Sequence, residues 1–187
     1  AERAGRVIRS VHQFVRRRER LRETVRADEL IEAVLPLIRL AARRSHSRVE
    51  IELAHPVPRV TCDRTMVEQV LLNLTRNAMQ AMEGTPRPER ELVLGLHRTV
   101  AGVRPYPMPG WVQFSVADAG AGVPPDLAER IFTPFFTTRS EGMGLGLGLC
   151  RTVVEQHGGV LEFVPNQPRG TIFRFTLPLA AGPRQGG

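Results

Sequence analysis

The sequence predicts an α+β fold, a two-layer α/β sandwich with helices on one face of a mixed sheet of about five strands, and three observations carry that reading. Short segments at residues 49–54, 91–97, 111–118, 160–164 and 171–177 alternate apolar and polar residues with the period of a strand. Stretches beginning near Asp28 and at residues 64–83 and 146–157 repeat their apolar residues with helical period. The two kinds are mixed without strict alternation, which favours three helices layered on one side of the sheet over a doubly wound architecture. At 187 residues the chain has room for one core of ordinary size plus an appendage.

Taken in order, the appendage comes first. Ala4, Val7, Val11, Phe14, Leu21 and Val25 fall on a and d positions of a heptad, widened by Ile8 and Val15 and interrupted by Arg18. A lone helix cannot bury such a face, so it must pack against another helix, from the same chain, a second copy or a missing segment, and self-association as a homodimer is expected. Asp28 is expected to cap a second helix carrying Leu30, Ile31, Val34, Leu35, Ile38 and Ala41/Ala42, with a kink at Pro36. The strands and remaining helices follow, separated by Pro-rich loops at 84–90 and 99–110. The organisation expected is a helical appendage over 1–27, a main domain over 28–179 and a tail over 180–187.

Composition bounds the function. Hydrophobic residues make up 42% and charged residues 24%, a globular profile without the marks of disorder or of a disulfide scaffold. No apolar run approaches the roughly 20 residues of a membrane span, and no signal-peptide pattern opens the chain, so a cytoplasmic location is expected. Cys62 and Cys150 lack the spacing of a zinc or redox site. The net charge of +7 is carried wholly by arginine, and residues 1–48 hold 13 Arg against 6 acids while the remainder is neutral. A basic appendage beside a neutral domain fits a solvated or protein-docking face. No nucleic-acid recognition motif accompanies the charge, so no nucleic-acid partner is expected.

Three features carry chemistry. On the helix over 64–83, Gln69, Asn73, Arg76, Asn77 and Gln80 form a narrow stripe opposite an apolar side of Val67, Val70, Leu71, Leu74, Ala78, Ala81 and Met82. Carboxamides and one guanidinium suit a hydrated metal ion and phosphate oxygens, although a plain polar face would look the same. In the strand Val112, Phe114, Val116, Asp118, alternation puts a carboxylate on the apolar face, where it needs a partner. Gly120 and Gly122 follow, allowing a flat ligand to approach, although a strand ending in a turn also fits. Third, Gly142, Gly144, Leu145, Gly146 and Leu147 introduce a helix ended by His157, Gly158 and Gly159, and a helix start after glycines is a phosphate cradle.

These elements, in this order, resemble the ATP-binding catalytic domain of bacterial sensor histidine kinases, in the superfamily shared with DNA gyrase, MutL and heat-shock chaperones. Asn73-Leu-Thr-Arg76-Asn77-Ala resembles the N box, Asp118-Ala-Gly120-Ala-Gly122 the first glycine box, and Phe132-Thr-Pro-Phe135-Phe136-Thr-Thr138-Arg139 the F box. Gly142 to Leu149 resembles the second glycine box and Gly170-Thr171 the last. The resemblance implies a Bergerat-type ATP fold and the ligands ATP and Mg²⁺. Asn77 would hold the metal, Asn73 and Arg76 would sit beside the phosphates, and Asp118 would read the adenine amino group. Phe136, Thr138, Arg139, Thr171 and the glycines would complete the pocket. It further implies transfer of the γ-phosphoryl group to a histidine and then to an aspartate of a response-regulator receiver domain.

The short stretch between Phe136 and Gly144 and the ending at Met82 resemble the nitrogen-regulation and oxygen-sensing subgroup, with an abbreviated lid. Arg139 stands where that subgroup usually has lysine, and Gln80 replaces a lysine common elsewhere. No histidine is followed by the acidic residue and proline of the phosphoacceptor box, and His12 reads as a surface residue. Residues 1–25 instead resemble the second helix of the dimerisation hairpin, so the acceptor is expected upstream. Two other readings remain. An ATP-hydrolysing clamp would need a carboxylate where Asn73 stands, and a non-enzymatic nucleotide-binding module would keep the same motifs.

Overall fold

The computed structural model describes residues 21–99, 110–133 and 146–180. In chain order they form β1 (Glu23–Arg26), α1 (Ala27–Ser45), β2 (Arg48–Leu53), β3 (Arg59–Cys62), α2 (Arg64–Ala81), β4 (Glu91–Thr99), β5 (Trp111–Asp118), α3 (Gly146–Gln156), β6 (Leu161–Pro165) and β7 (Thr171–Pro178). Five strands make one mixed sheet in the order β2-β4-β5-β7-β6, with β2 parallel to β4 and the other neighbours antiparallel. The three helices pack on one face, α2 touching both α1 and α3.

Alternation explains the core. Val112, Phe114 and Val116 of β5 and Phe173, Phe175 and Leu177 of β7 point inward with Leu92, Leu94 and Leu96 of β4. At the centre, Phe114 and Phe175 stack with ring centroids 5.0 Å apart. The helices meet this face with Leu30, Ile31, Val34 and Ile38 of α1, Val67, Val70, Leu71 and Leu74 of α2, and Cys150, Val153 and Val154 of α3. Asp118 belongs to the same inward row of β5, so the strand's own period carries its carboxylate to the helix side of the sheet.

The appendage reading changes at its C-terminal end. Val25 is not the last position of a helical heptad: it is buried in β1, which pairs antiparallel with β3, Val25 opposite Val60. These two strands form a small sheet that composition did not announce. Each has four residues and they lie 35 positions apart at Val25 and Val60, so only a non-local contact makes them strands. The rest of the heptad, residues 4–20, lies outside the described residues. Asp28 does not cap α1. The N-cap is Arg26, without a side-chain cap, and Asp28 sits in the first turn, where it accepts hydrogen bonds from Arg26 Nε at 3.1 Å and Nη2 at 2.7 Å. A carboxylate there also favours the helix dipole. α1 continues through Pro36 to Ser45, with the proline on its exposed side.

Candidate nucleotide site

α2 is capped by Asp63, whose Oδ1 accepts from Met66 N at 3.2 Å. With Val67, Val70, Leu71 and Leu74 buried, helical geometry turns the carboxamide stripe away from the sheet. Gln69 and Arg76 are exposed, whereas Asn73, Asn77 and Gln80 are half-buried. The carboxylate on α2, Glu68, lies off this stripe and is held by Arg64 Nε at 2.9 Å.

At the end of β5 the Asp118 side chain is 1% exposed. Its Oδ1 accepts from Gly120 N at 2.8 Å and Thr171 N at 3.3 Å. Burial pushes this carboxyl above the ordinary aspartate value, and the two N–H donors offset only part of that. A buried acid with satisfied backbone donors on one oxygen is suited to take a further amino or ring N–H donor from a ligand. Its surroundings admit little else: a Cβ on Gly120 would lie 2.6 Å from Ala81 O, so the loop runs against the last turn of α2. A Cβ on Gly170 would lie 1.9 Å from Asp118 O, which fixes the β6–β7 connection over the end of β5. Gly122, half-buried, lies in the same turn.

α3 runs antiparallel to α2. His157, just past its end, accepts from Asp63 N at 2.9 Å, while Cys150 Sγ lies 4.0 Å from Val70 O. Burial pushes the Cys150 thiol up to about 12, with the nearby Asn73 side chain offsetting part of that. One further turn at about 1.5 Å per residue brings the start of α3, Gly146 and Leu147, level with Leu74 and Asn73. The positive end of the α3 dipole and its free N–H groups thus lie beside the carboxamides.

The structure places Asn73, Arg76 and Asn77 on α2, Asp118 at the end of β5 with Gly120 and Gly122 in the turn that runs against the last turn of α2, Thr171 on β7 against Asp118, and Gly146 and Leu147 at the start of α3. Thr171 contributes its backbone N–H to Asp118. Phe136, Thr138, Arg139, Gly142, Gly144 and Leu145 lie outside the described residues. Phe132, four residues before Phe136, is anchored: its ring meets Phe163 and Phe173 at 6.2 and 6.3 Å, and the Arg151 guanidinium lies 5.3 Å above it. Three neighbours were not singled out by pattern. Asn166 Nδ2 donates to Asp118 O at 2.8 Å, Thr85 Oγ1 donates to Ala119 O at 3.2 Å, and Cys150 meets Asn73. The partner of Asn166 lies 48 residues away and is set by sheet order, which no local pattern gives.

This donor set fits an adenine nucleotide: a buried acceptor for the amino group, glycine backbone beside it, and uncharged carboxamides facing a helix start. Residues 62–181 match the family model described as "Histidine kinase-, DNA gyrase B-, and HSP90-like ATPase". The chain is 37% identical over 179 residues to the C4-dicarboxylate transport sensor protein DctS of Rhodobacter capsulatus, covering 96% of this chain and 26% of that protein. It is also 37% identical to the sensor protein FixL of Bradyrhizobium diazoefficiens, covering 96% of this chain and 34% of that protein. The chain thus spans about a third or less of these relatives.

Among solved structures, the catalytic domain of histidine kinase ThkA superposes with a TM-score of 0.70 at 33% identity, covering 84% of this chain and 95% of that one. Full-length ShkA in complex with AMPPNP gives 0.71 at 27% identity, covering 86% of this chain and 32% of that one. ThkA in complex with the response regulator protein TrrA gives 0.68 at 27% identity, covering 96% and 49%. The buried aspartate, the carboxamide helix and the glycine-led helix are thus parts of an ATP-binding catalytic domain of the sensor histidine kinases, and the chain belongs to the histidine kinase-, DNA gyrase B- and HSP90-like ATPase family.

Proposed function

We propose that the chain is the phosphoryl-donor half of a two-component kinase, holding MgATP between α2 and the start of α3 with the adenine on Asp118. The observation that carries this reading is the buried Asp118 carboxylate, its Oδ1 already satisfied by backbone, lying against the same helix that presents Asn73 and Asn77. Asn77 would hold Mg²⁺ through its carboxamide oxygen. Among the described residues no cluster of three or more His, Cys, Asp or Glu competes for a metal. When bound, Mg²⁺ neutralises phosphate charge. Asn73 and Arg76 face the phosphates, and Gly142, Gly144, Leu145, Gly146 and Leu147 give N–H groups to them. Phe136, Thr138 and Arg139 close the pocket, Arg139 supplying the fixed cation.

Catalysis by such a site is positioning plus charge neutralisation. In the intact kinase the bond between the γ-phosphorus and the bridging β-phosphate oxygen breaks while a bond to a histidine nitrogen forms. ADP leaves, and the phosphoryl group passes on to a receiver-domain aspartate. The ThkA–TrrA complex and the AMPPNP complex of ShkA support the partner and the nucleotide. The acceptor histidine is placed outside this sequence, since none here has the phosphoacceptor context. Residues 4–21 would supply a dimerisation helix to the intact kinase.

Isothermal titration with ADP, with and without Mg²⁺, tests the site. Asn77→Ala is expected to abolish the magnesium dependence and to weaken binding roughly tenfold or more, as expected for loss of a charge-linked contact of about 1.5–3 kcal/mol. The isolated chain is expected to form no acid-labile phosphohistidine from labelled ATP. Unchanged magnesium dependence in the variant, or label on the isolated chain, would overturn the proposal.

A further inference from the structure

His157 ends the helix whose start faces the carboxamides, yet it lies far from any nucleotide group. Its ring is 7% exposed and has two definite partners. Nδ1 lies 2.7 Å from Val153 O, a carbonyl that can only accept, so Nδ1 carries a hydrogen. Nε2 lies 2.9 Å from Asp63 N, a backbone donor, so Nε2 must be a bare lone pair. The partners fix a neutral ring in one tautomer. Asp63 is the residue that caps α2, and its Oδ2 is buried with no hydrogen-bond partner. The imidazole thus joins the end of α3 directly to the cap of α2.

We propose that His157 is a positioning residue: the neutral ring clasps α3 to the α2 cap and so sets the spacing of the helix ends that hold the nucleotide. This rests on the nucleotide reading above. The two helices are antiparallel, so the clasp at Asp63 and His157 closes one end of a pair whose other end carries Asn77 and Gly146. Those ends are about 16 Å away along α3 at 1.5 Å per residue. Protonation would turn Nε2 into a donor aimed at the donor Asp63 N, breaking the bond.

The charged groups around the ring are few. α2 brings Asp63, which favours the charged ring; Arg64 next to it is engaged by Glu68. The segment before β1 brings Arg22, which disfavours the charged ring and donates from Nη2 to Gln156 O. Glu23 and Cys62 face each other in the β1–β3 pair beside the cap. Burial is the largest influence, and the ring titrates below its ordinary value.

The test uses the whole chain and two measurements. Nitrogen-15 NMR of the parent is expected to show His157 in the Nδ1–H tautomer at pH 7.5, titrating below an ordinary histidine at about 6.5. Titration calorimetry with MgADP is then run at pH 7.5 and near 5.5 on the parent, His157→Gln and His157→Leu. Glutamine can accept from Asp63 N and donate to Val153 O but cannot titrate. The parent is expected to lose roughly three- to tenfold in affinity on acidification, the glutamine variant to lack that extra loss, and the leucine variant to bind weakly at both values. Titration of the ligand and of Asp118 is common to all three and cancels in the comparison. An Nε2–H tautomer, titration at or above the ordinary value, or coinciding pH profiles of parent and glutamine variant would overturn the proposal. Failure of the parent to bind at pH 7.5 would instead sink the nucleotide reading and this inference with it.

Discussion

Asp118→Asn separates the ligand role of this residue from its structural one. An asparagine can keep its Oδ1 against Gly120 N and Thr171 N, so the two backbone bonds at 2.8 and 3.3 Å survive. Its second group becomes an NH₂ that meets the adenine amino group donor to donor. The loss is one hydrogen bond to a charged acceptor, about 1.5–3 kcal/mol, or roughly 10- to 150-fold in affinity. Stability should move the other way. Burial raises the folded-state pKa of Asp118 above its unfolded value, so the native state binds the proton more tightly. The stability contribution of this group accordingly falls as pH rises through the window from its unfolded to its folded pKa, and at pH 7 the buried charge is a cost. Removing it should leave the melting temperature unchanged or higher. Asp118→Ala is the contrasting case: it strands two buried N–H groups at about 1–3 kcal/mol each and should lower the melting temperature. The assay is calorimetric affinity for ATP and GTP beside thermal melts of all three chains. An asparagine variant that keeps the parent's ATP affinity and its preference for ATP over GTP would refute the reasoning.

Other outcomes follow from the same geometry. Gly170→Ala places a Cβ 1.9 Å from Asp118 O at φ +106°, so it should cost about 2 kcal/mol or more and lower both the melting temperature and nucleotide affinity. Burial pushes both Cys62 and Cys150 thiols up to about 12, so a thiol-reactive chromogenic disulfide at pH 8 should titrate neither until the chain is unfolded in urea. Steady phosphate release from ATP should be absent, because Asn73 is a carboxamide and Glu68 is engaged by Arg64; sustained turnover in a coupled phosphate assay would contradict this. The lowered folded-state pKa of His157 means the unfolded chain binds that proton more tightly. Its contribution to stability is therefore present above the unfolded pKa of about 6.5 and lost as pH falls below it. Melts of the parent between pH 7.5 and 5.5 should show that loss, and His157→Gln should show less of it.

Periodicity made the elements that build the cleft legible. α2 and α3 start where expected, at Arg64 and Gly146, and β5 spans residues 111–118 as expected. These are segments whose apolar faces are long enough for local pattern to speak for burial. β1 and β3 were not legible, since a four-residue strand with a single inward valine carries too little pattern, and Val25 served a heptad equally well on paper. Asp28 at the head of α1 looked like a cap, yet the nearest cation, Arg26, engaged its carboxylate instead.

Local periodicity and spacing, being properties of neighbours along the chain, determined the fold class, the inward position of Asp118 and the polar stripe holding Asn73 and Asn77. Only the tertiary structure decided what meets across the chain: Asn166 on the Asp118 carbonyl, Gly170 wedged against it, Cys150 on Asn73, and His157 on the cap of α2. Those contacts join residues 48 to 94 positions apart, and their existence depends on sheet order and helix direction, which no local repeat encodes.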